Sequence, residues 1–153
     1  MNVKKKYEDV TVEYLCSATP GRGAVTYEEG YQIKRHRDEI KVAEWIHRTF
    51  GGNVRLLKES VQRGVKMPDY VWNNRNWELK TVHSINSADK SLQHAIKQIQ
   101  DNPGGVILNL LEIVHMPTLE RQLFGRFIRS SINSFDIIIL SKNQLVKILR
   151  YKA

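Results

Sequence analysis

Two acids and a lysine capable of joint chemistry lie in one stretch: Met67-Pro68-Asp69-Tyr70-Val71-Trp72, the turn-forming Asn73-Asn74-Arg75-Asn76, and Trp77-Glu78-Leu79-Lys80-Thr81-Val82. Apolar runs flanking an Asn-rich turn read as a β-hairpin. Centred on Asn74-Arg75, the hairpin sets Trp72 across from Trp77, Val71 from Glu78, Tyr70 from Leu79 and Asp69 from Lys80. Side chains alternate faces along a strand, so Asp69, Val71, Glu78 and Lys80 share one face, and Tyr70, Trp72, Trp77 and Leu79 the other. The aromatic face is expected to be core and the charged face a site. Carboxylate oxygens hold a hard divalent cation, and an adjacent ammonium orients an attacking water and meets charge developing in the transition state. Phosphodiester hydrolysis is a reaction that such a group can perform. The competing reading is a surface ion-pair group worth less than ~1 kcal/mol.

A third carboxylate enters from a helix. From Arg37 to Phe50 the apolar residues Val42, Ala43, Ile46 and Phe50 recur at helical spacing, with Asp38 near the start and Gly51-Gly52 as a stop. Glu39 lies four, seven and eleven positions before Ala43, Ile46 and Phe50, at the N-terminal end of the stripe that must be buried. A carboxylate there needs a partner, which is either an arginine or cap hydrogen bond, or a metal shared with Asp69 and Glu78. Glu44 neighbours Ile40 and His47 on a flank and reads as solvated.

The elements around these residues follow from periodicity. Val10 to Leu15 alternates, and Thr19-Pro20-Gly21-Arg22-Gly23 reads as a loop. Asn53 to Leu57 is a strand candidate, and after Gln62-Arg63-Gly64 a strand is expected over Val65 to Trp72. A helix is predicted from about Ser87 or Ala88 to Gln100, burying Leu92, Ala95, Ile96 and Ile99, with Asn102-Pro103-Gly104-Gly105 ending it. Its polar side holds Gln93 and Lys97, which either contact substrate phosphate or form the solvated face. Val106 to Val114 reads as a buried strand, Met116 to Ser130 as a helix, and Phe135 to Leu140 and Leu145 to Tyr151 as strands. Near-continuous apolar strands need cover on both faces, so the expected fold class is α/β (α+β), a central mixed sheet flanked by helices.

The chain has 153 residues, 41% hydrophobic and 26% charged, enough for one core without a disulfide or metal staple. Its charge is +8, with 15 basic against 11 acidic residues up to Lys80 and 9 against 5 beyond it, which excludes a basic tail. A polyanionic or acidic partner must therefore meet a folded surface. Cys16 is the only cysteine, which excludes an intramolecular disulfide and points to a reducing compartment. Lys4-Lys5-Lys6 follows the start without a signal-type apolar run, and no stretch reaches bilayer-spanning length.

The order of a helix with Glu39, then Pro68-Asp69, then Glu78-Leu79-Lys80, then a helix behind the hairpin resembles the PD-(D/E)XK nuclease superfamily across roughly Lys34 to Val114. Within it, His36-Arg37-Asp38-Glu39-Ile40-Lys41-Val42-Ala43 and the two hairpin strands are similar to C-terminal nuclease domains of contact-dependent growth-inhibition and related polymorphic toxins. The resemblance implies a restriction-endonuclease-like core and a divalent metal, Mg2+ or Mn2+, with metal-binding and hydrolytic roles for Asp69, Glu78 and Lys80. It implies tRNA as substrate and a cognate immunity protein, for which the basic charge favours an acidic surface. It also implies delivery within a larger secreted protein and action in the target cell's cytoplasm. The nuclease domain is then residues 31–153, with 1–30 a linker. Alternatives from the residues themselves are a DNase using the same site, a metal-free ribonuclease, and a non-catalytic module stacking bases on Trp72 or Trp77. The last is disfavoured because both tryptophans fall on the core face.

Overall fold

The computed structural model describes residues 4–60 and 67–153. Eight strands form one sheet in the order β1-β8-β7-β6-β5-β4-β3-β2. They are β1 (Lys6–Asp9), β2 (Val25–Tyr27), β3 (Val54–Leu56), β4 (Tyr70–Trp72), β5 (Arg75–Val82), β6 (Pro103–Leu110), β7 (Ser134–Ser141) and β8 (Gln144–Lys152). The helices are α1 (Thr11–Ser17), α2 (Arg37–Thr49), α3 (Ile85–Ile99) and α4 (Met116–Arg129), with a 3-10 turn over Ile33–Arg35. Strands β5, β6 and β7 run parallel, joined by crossovers through α3 and α4, while the remaining pairs are antiparallel except β2 with β3. The expected mixed sheet with helical cover is what forms.

The two faces bury separate cores. Leu92, Ala95 and Ile99 of α3 and Leu119, Leu123 and Phe127 of α4 cover Val106, Leu108, Ile137 and Ile139. On the opposite face Val42, Ala43 and Ile46 of α2 cover Val54, Leu56, Tyr70, Trp72, Trp77, Ile107 and Ile138. Alternation explains the division, because Ile107 and Ile138 point to α2 while Val106 and Leu108 point to α3. Each fully buried Ile or Leu contributes roughly 1.5–3 kcal/mol. The α2 helix stops where expected: Gly51 and Gly52 have φ of 75° and 99°, and a Cβ on Gly51 would lie 1.9 Å from the Thr19 carbonyl oxygen.

Several expectations change. The alternating Val10–Leu15 stretch falls mostly in helix α1, whose start is fixed by Asp9 Oδ1 accepting from the Thr11 N–H (2.8 Å) and hydroxyl (2.6 Å). Residues 1–30, expected as a linker, supply both sheet edges, β1 against β8 and β2 against β3. The sixth strand spans Pro103–Leu110, so Leu111 to Val114 lie beyond it in the connection to α4. Within the strand expected over Val65 to Trp72, β4 covers Tyr70–Trp72; Val65, Lys66 and the preceding Gln62-Arg63-Gly64 lie outside the described residues. No helix among the described residues is long and apolar enough to cross a membrane.

Candidate active site

The β4–β5 turn is Asn73-Asn74, one position before the expected centre. Both residues have positive φ, 50° and 66°, the backbone of a two-residue hairpin turn, and the pairs are Trp72 with Arg75, Val71 with Asn76 and Tyr70 with Trp77. The face assignment survives, because every pair has moved by two positions in total and alternation has period two. What changes is who stands level: Asp69 now lies beside Glu78 rather than Lys80.

The ladder between β4 and β5 ends at Tyr70 and Trp77. Beyond it the strands separate, and side chains satisfy the freed donors. The Asp69 N–H donates to Glu78 Oε1 (2.9 Å), and the Leu79 N–H donates to Asp69 Oδ2 (2.9 Å). Two carboxylates are thereby fixed at the fork of the hairpin, Glu78 only 3% exposed. Lys80, two residues along the same face, places Nζ 3.3 Å from Glu78 Oε2.

Glu39 arrives from the first turn of α2. The Tyr70 hydroxyl donates to the Glu39 carbonyl oxygen (2.6 Å), fastening the helix start to β4. The Tyr31 hydroxyl donates to Glu39 Oε2 (2.9 Å), and His36 Nδ1 stands 3.5 Å from Oε1. The Asp69 carboxyl faces both Glu39 and Glu78. The structure therefore brings together all four residues singled out from the sequence, Glu39, Asp69, Glu78 and Lys80. Glu44 is exposed.

The electrostatics of this cluster are unbalanced. Burial pushes the Asp69 carboxyl up to about 8, with the Glu78 charge adding to it. Burial pushes Glu39 up to about 7, with the Asp69 charge adding to it. Burial also raises Glu78, against its hydrogen bond with Asp69 and the charge of Lys80. Three carboxyls near one another with a single ammonium beside them are all held above their ordinary range, and Glu39 and Asp69 retain protons near neutral pH. Oxygen donors held in this state have the chemistry of a hard divalent-cation site, since such an ion replaces the retained protons. The donor set suits such an ion in its chemistry, whereas its placement does not: among the described residues no group of three or more His, Cys, Asp or Glu side chains is positioned so that it could hold a metal ion as it stands.

Gln93 and Lys97 are not brought into this cluster by any described contact. They continue the i, i+4 row that begins at Asp89, and Asp89 is held by Arg126 (2.7 Å) and Arg129 (3.2 Å) of α4. That row continues along the side of α3 that meets α4. Tyr31 and His36 are additional partners of Glu39. Nothing in their spacing marks them, because a 3-10 turn separates Tyr31 from α2 and breaks the helical period.

A cavity of about 450 Å³ opens beside Glu39, lined by Lys34, Arg35, Arg37, Glu39, Leu79 and Thr81, with His36 and Asp38 completing it. Three of its walls are cationic, which suits a phosphate approaching Glu39.

No protein-family model and no curated protein matches the chain. Among solved structures, a chain of the CdiA-CT/CdiI toxin and immunity complex from Burkholderia pseudomallei is similar, with a TM-score of 0.51 and 11% identity over 80% of this chain and 97% of that one. At that identity the likeness is one of fold, an α/β architecture built on a mixed sheet and helical cover.

Proposed function

We propose that this chain is the nuclease domain of a bacterial toxin, of the PD-(D/E)XK type, hydrolysing phosphodiester bonds of tRNA with a divalent cation and restrained by an acidic immunity protein. The observation that carries the reading is the cluster of Glu39, Asp69 and Glu78, half-buried to buried and with all three carboxyls raised above their ordinary range, with Lys80 beside it. A net charge of +8 supports a polyanionic substrate. A shared fold with a chain from a toxin and immunity complex supports the toxin setting. Between the two sides of such a pair, the basic charge and acid trio favour the toxin, which is delivered within a larger secreted protein and acts in the target cell's cytoplasm.

In this mechanism Glu39, Asp69 and Glu78 would hold Mg2+ or Mn2+. Such a cation, when bound, would supply Lewis acidity at a phosphate oxygen and lower the pKa of water. Lys80 would orient the attacking water and meet charge developing on the phosphate oxygens. The Tyr31 hydroxyl keeps Glu39 Oε2 oriented, and the Leu79 N–H does the same for Asp69 Oδ2. Lys34, Arg35 and Arg37 draw the phosphate in.

The test incubates the purified chain with total RNA and plasmid DNA in parallel, with Mg2+, Mn2+ or EDTA. Cleavage of tRNA that EDTA abolishes is expected. Undiminished cleavage in EDTA overturns the metal mechanism, and cleavage of plasmid alone replaces tRNA with DNA.

A further inference from the structure

The surface cations of this protein differ in how they are held. Around α3, α4 and the β1–β8 edge many are paired, Arg126 and Arg129 with Asp89, Lys147 with Glu120, Arg150 with Glu13 and Asp136, and Lys152 with Glu8, while Lys6, Lys90, Lys97 and Arg121 are scattered there without an ion pair among the described residues. Along α2 and its approach, Lys34, Arg37, Lys41 and Arg48 are exposed, and none has an ion-pair partner among the described residues. Arg37, Lys41 and Arg48 lie at helical spacing, so they share one side of α2 and mark a path of about 16 Å.

That path has a polar floor. Thr81 of β5, Asn109 of β6 and Leu140 of β7 form one rung across three parallel strands. Thr81 lines the 450 Å³ cavity that contains Glu39. Leu140 lines a second cavity of about 210 Å³ with Lys41, Arg48 and Asn143. Asn109 lies between them, 8% exposed. Its Nδ2 donates to Asn143 Oδ1 (3.2 Å), whereas its Oδ1 is buried without a hydrogen bond. An orphaned buried acceptor costs about 1–3 kcal/mol and calls for a donor. Asn109 itself lines neither cavity; the terminal torsion of Asn is broad, so a turn of the amide, giving up the Asn143 bond, would bring that oxygen toward the cavity beside Thr81. The acids along the path are Asp38, Glu39 and Glu44, fewer than its cations.

We propose that this rung and the cationic row beside it bind a single-stranded segment of RNA, with phosphates on Lys34, Arg37, Lys41 and Arg48 and one ribose 2′-hydroxyl donating to Asn109 Oδ1. The 2′-hydroxyl is the donor that RNA carries at every nucleotide and DNA lacks. The inference deepens the nuclease reading, in that the track leads from the strand ends into the carboxyls. It places substrate along α2, away from the Gln93 and Lys97 row of α3.

The test is binding in EDTA, which needs no chemistry, using fluorescence anisotropy with a labelled single-stranded RNA and a DNA of the same sequence over a salt series. The Lys41→Glu/Arg48→Glu double variant is expected to weaken RNA binding at least tenfold and to flatten the salt slope by about 1.4, from two lost phosphate contacts. Lys90→Glu/Arg121→Glu, an equal charge change on α3 and α4, is expected to stay within about twofold. Equal loss from both doubles overturns the track in favour of bulk charge. Wild-type protein is expected to prefer RNA to DNA, and Asn109→Ala to lose that preference while melting cooperatively. Equal affinity for RNA and DNA overturns the hydroxyl contact. If α2-dependent binding persists but no metal supports cleavage, the nuclease reading fails and the track stands.

Discussion

Asp69 and Asp136 are carboxylates of the same sheet, and they are treated in opposite ways. Asp136 begins β7 at 8% exposure, yet Arg150 grips both its oxygens, Nε at 3.0 Å from Oδ1 and Nη2 at 3.1 Å from Oδ2, and the Tyr14 hydroxyl donates to Oδ2 as well. Arg150 also reaches Glu13 of α1 (2.7 Å), so one guanidinium ties α1, β7 and β8 together beside a cavity of about 500 Å³. At the hairpin fork three carboxyls meet with one lysine, and Asp69 is pushed up to about 8. Matched charge at one centre serves the fold. Unmatched charge at the other destabilises it and is the mark of a site awaiting a ligand.

The comparison is broken most directly by removing one charged group from each centre. Asp69→Asn is expected to lower tRNA cleavage about 10³-fold, about 4 kcal/mol in the barrier, while the metal-free protein melts no lower than wild type because a repulsion is gone. Arg150→Met should do the reverse, costing about 2–3 kcal/mol of stability in urea unfolding and leaving cleavage per folded molecule unchanged. A variant that loses both or neither removes the distinction.

A pH series sharpens it. Between the ordinary carboxylate range and the raised values of about 7 for Glu39 and about 8 for Asp69, the folded protein holds protons that the unfolded chain has released. Their contribution is complete below the unfolded pKa and lost as pH rises through the folded values, so metal-free stability is expected to fall from pH 5 to pH 8. Asp69→Asn should flatten that fall, and Mg2+ or Mn2+ at pH 8 should restore the melting temperature. The acids held below their ordinary range, Glu8, Asp9 and Asp89, act only at lower pH.

The smallest effect is expected from Tyr31→Phe. Glu39 loses a donor that favours its charged form, about 1 kcal/mol, so cleavage should drop several-fold and its pH profile shift to the alkaline side. An unshifted profile would assign Tyr31 to packing alone.

Much of the hairpin was legible because alternation is local. Glu78 and Lys80 are two residues apart and share a face whatever strand lies beside them, and the same parity carried Asp69 through a misplaced turn. The turn was read one position late, on Asn74-Arg75, although paired asparagines at Asn73-Asn74 tolerate the positive φ that a two-residue turn demands. Glu39 was legible from the stripe of α2. The edge strands were not: β1 and β2 are four- and three-residue pieces whose pairing with Lys152 and Val54 depends on chain far away. Nor was the contact of Tyr31 with Glu39, which crosses a 3-10 turn.

The sequence by itself determined the periodicities, and with them which side chains face together along each strand and helix, as well as an excess of eight positive charges on a chain with one cysteine. It could not determine which charges are matched. Arg150 pairs with Asp136 because β8 returns antiparallel beside β7, and Asp69 meets Glu39 because β4 parts from β5 beneath α2. Only the tertiary structure decided these, since charge compensation depends on burial and on distances of a few ångströms between residues remote in the chain.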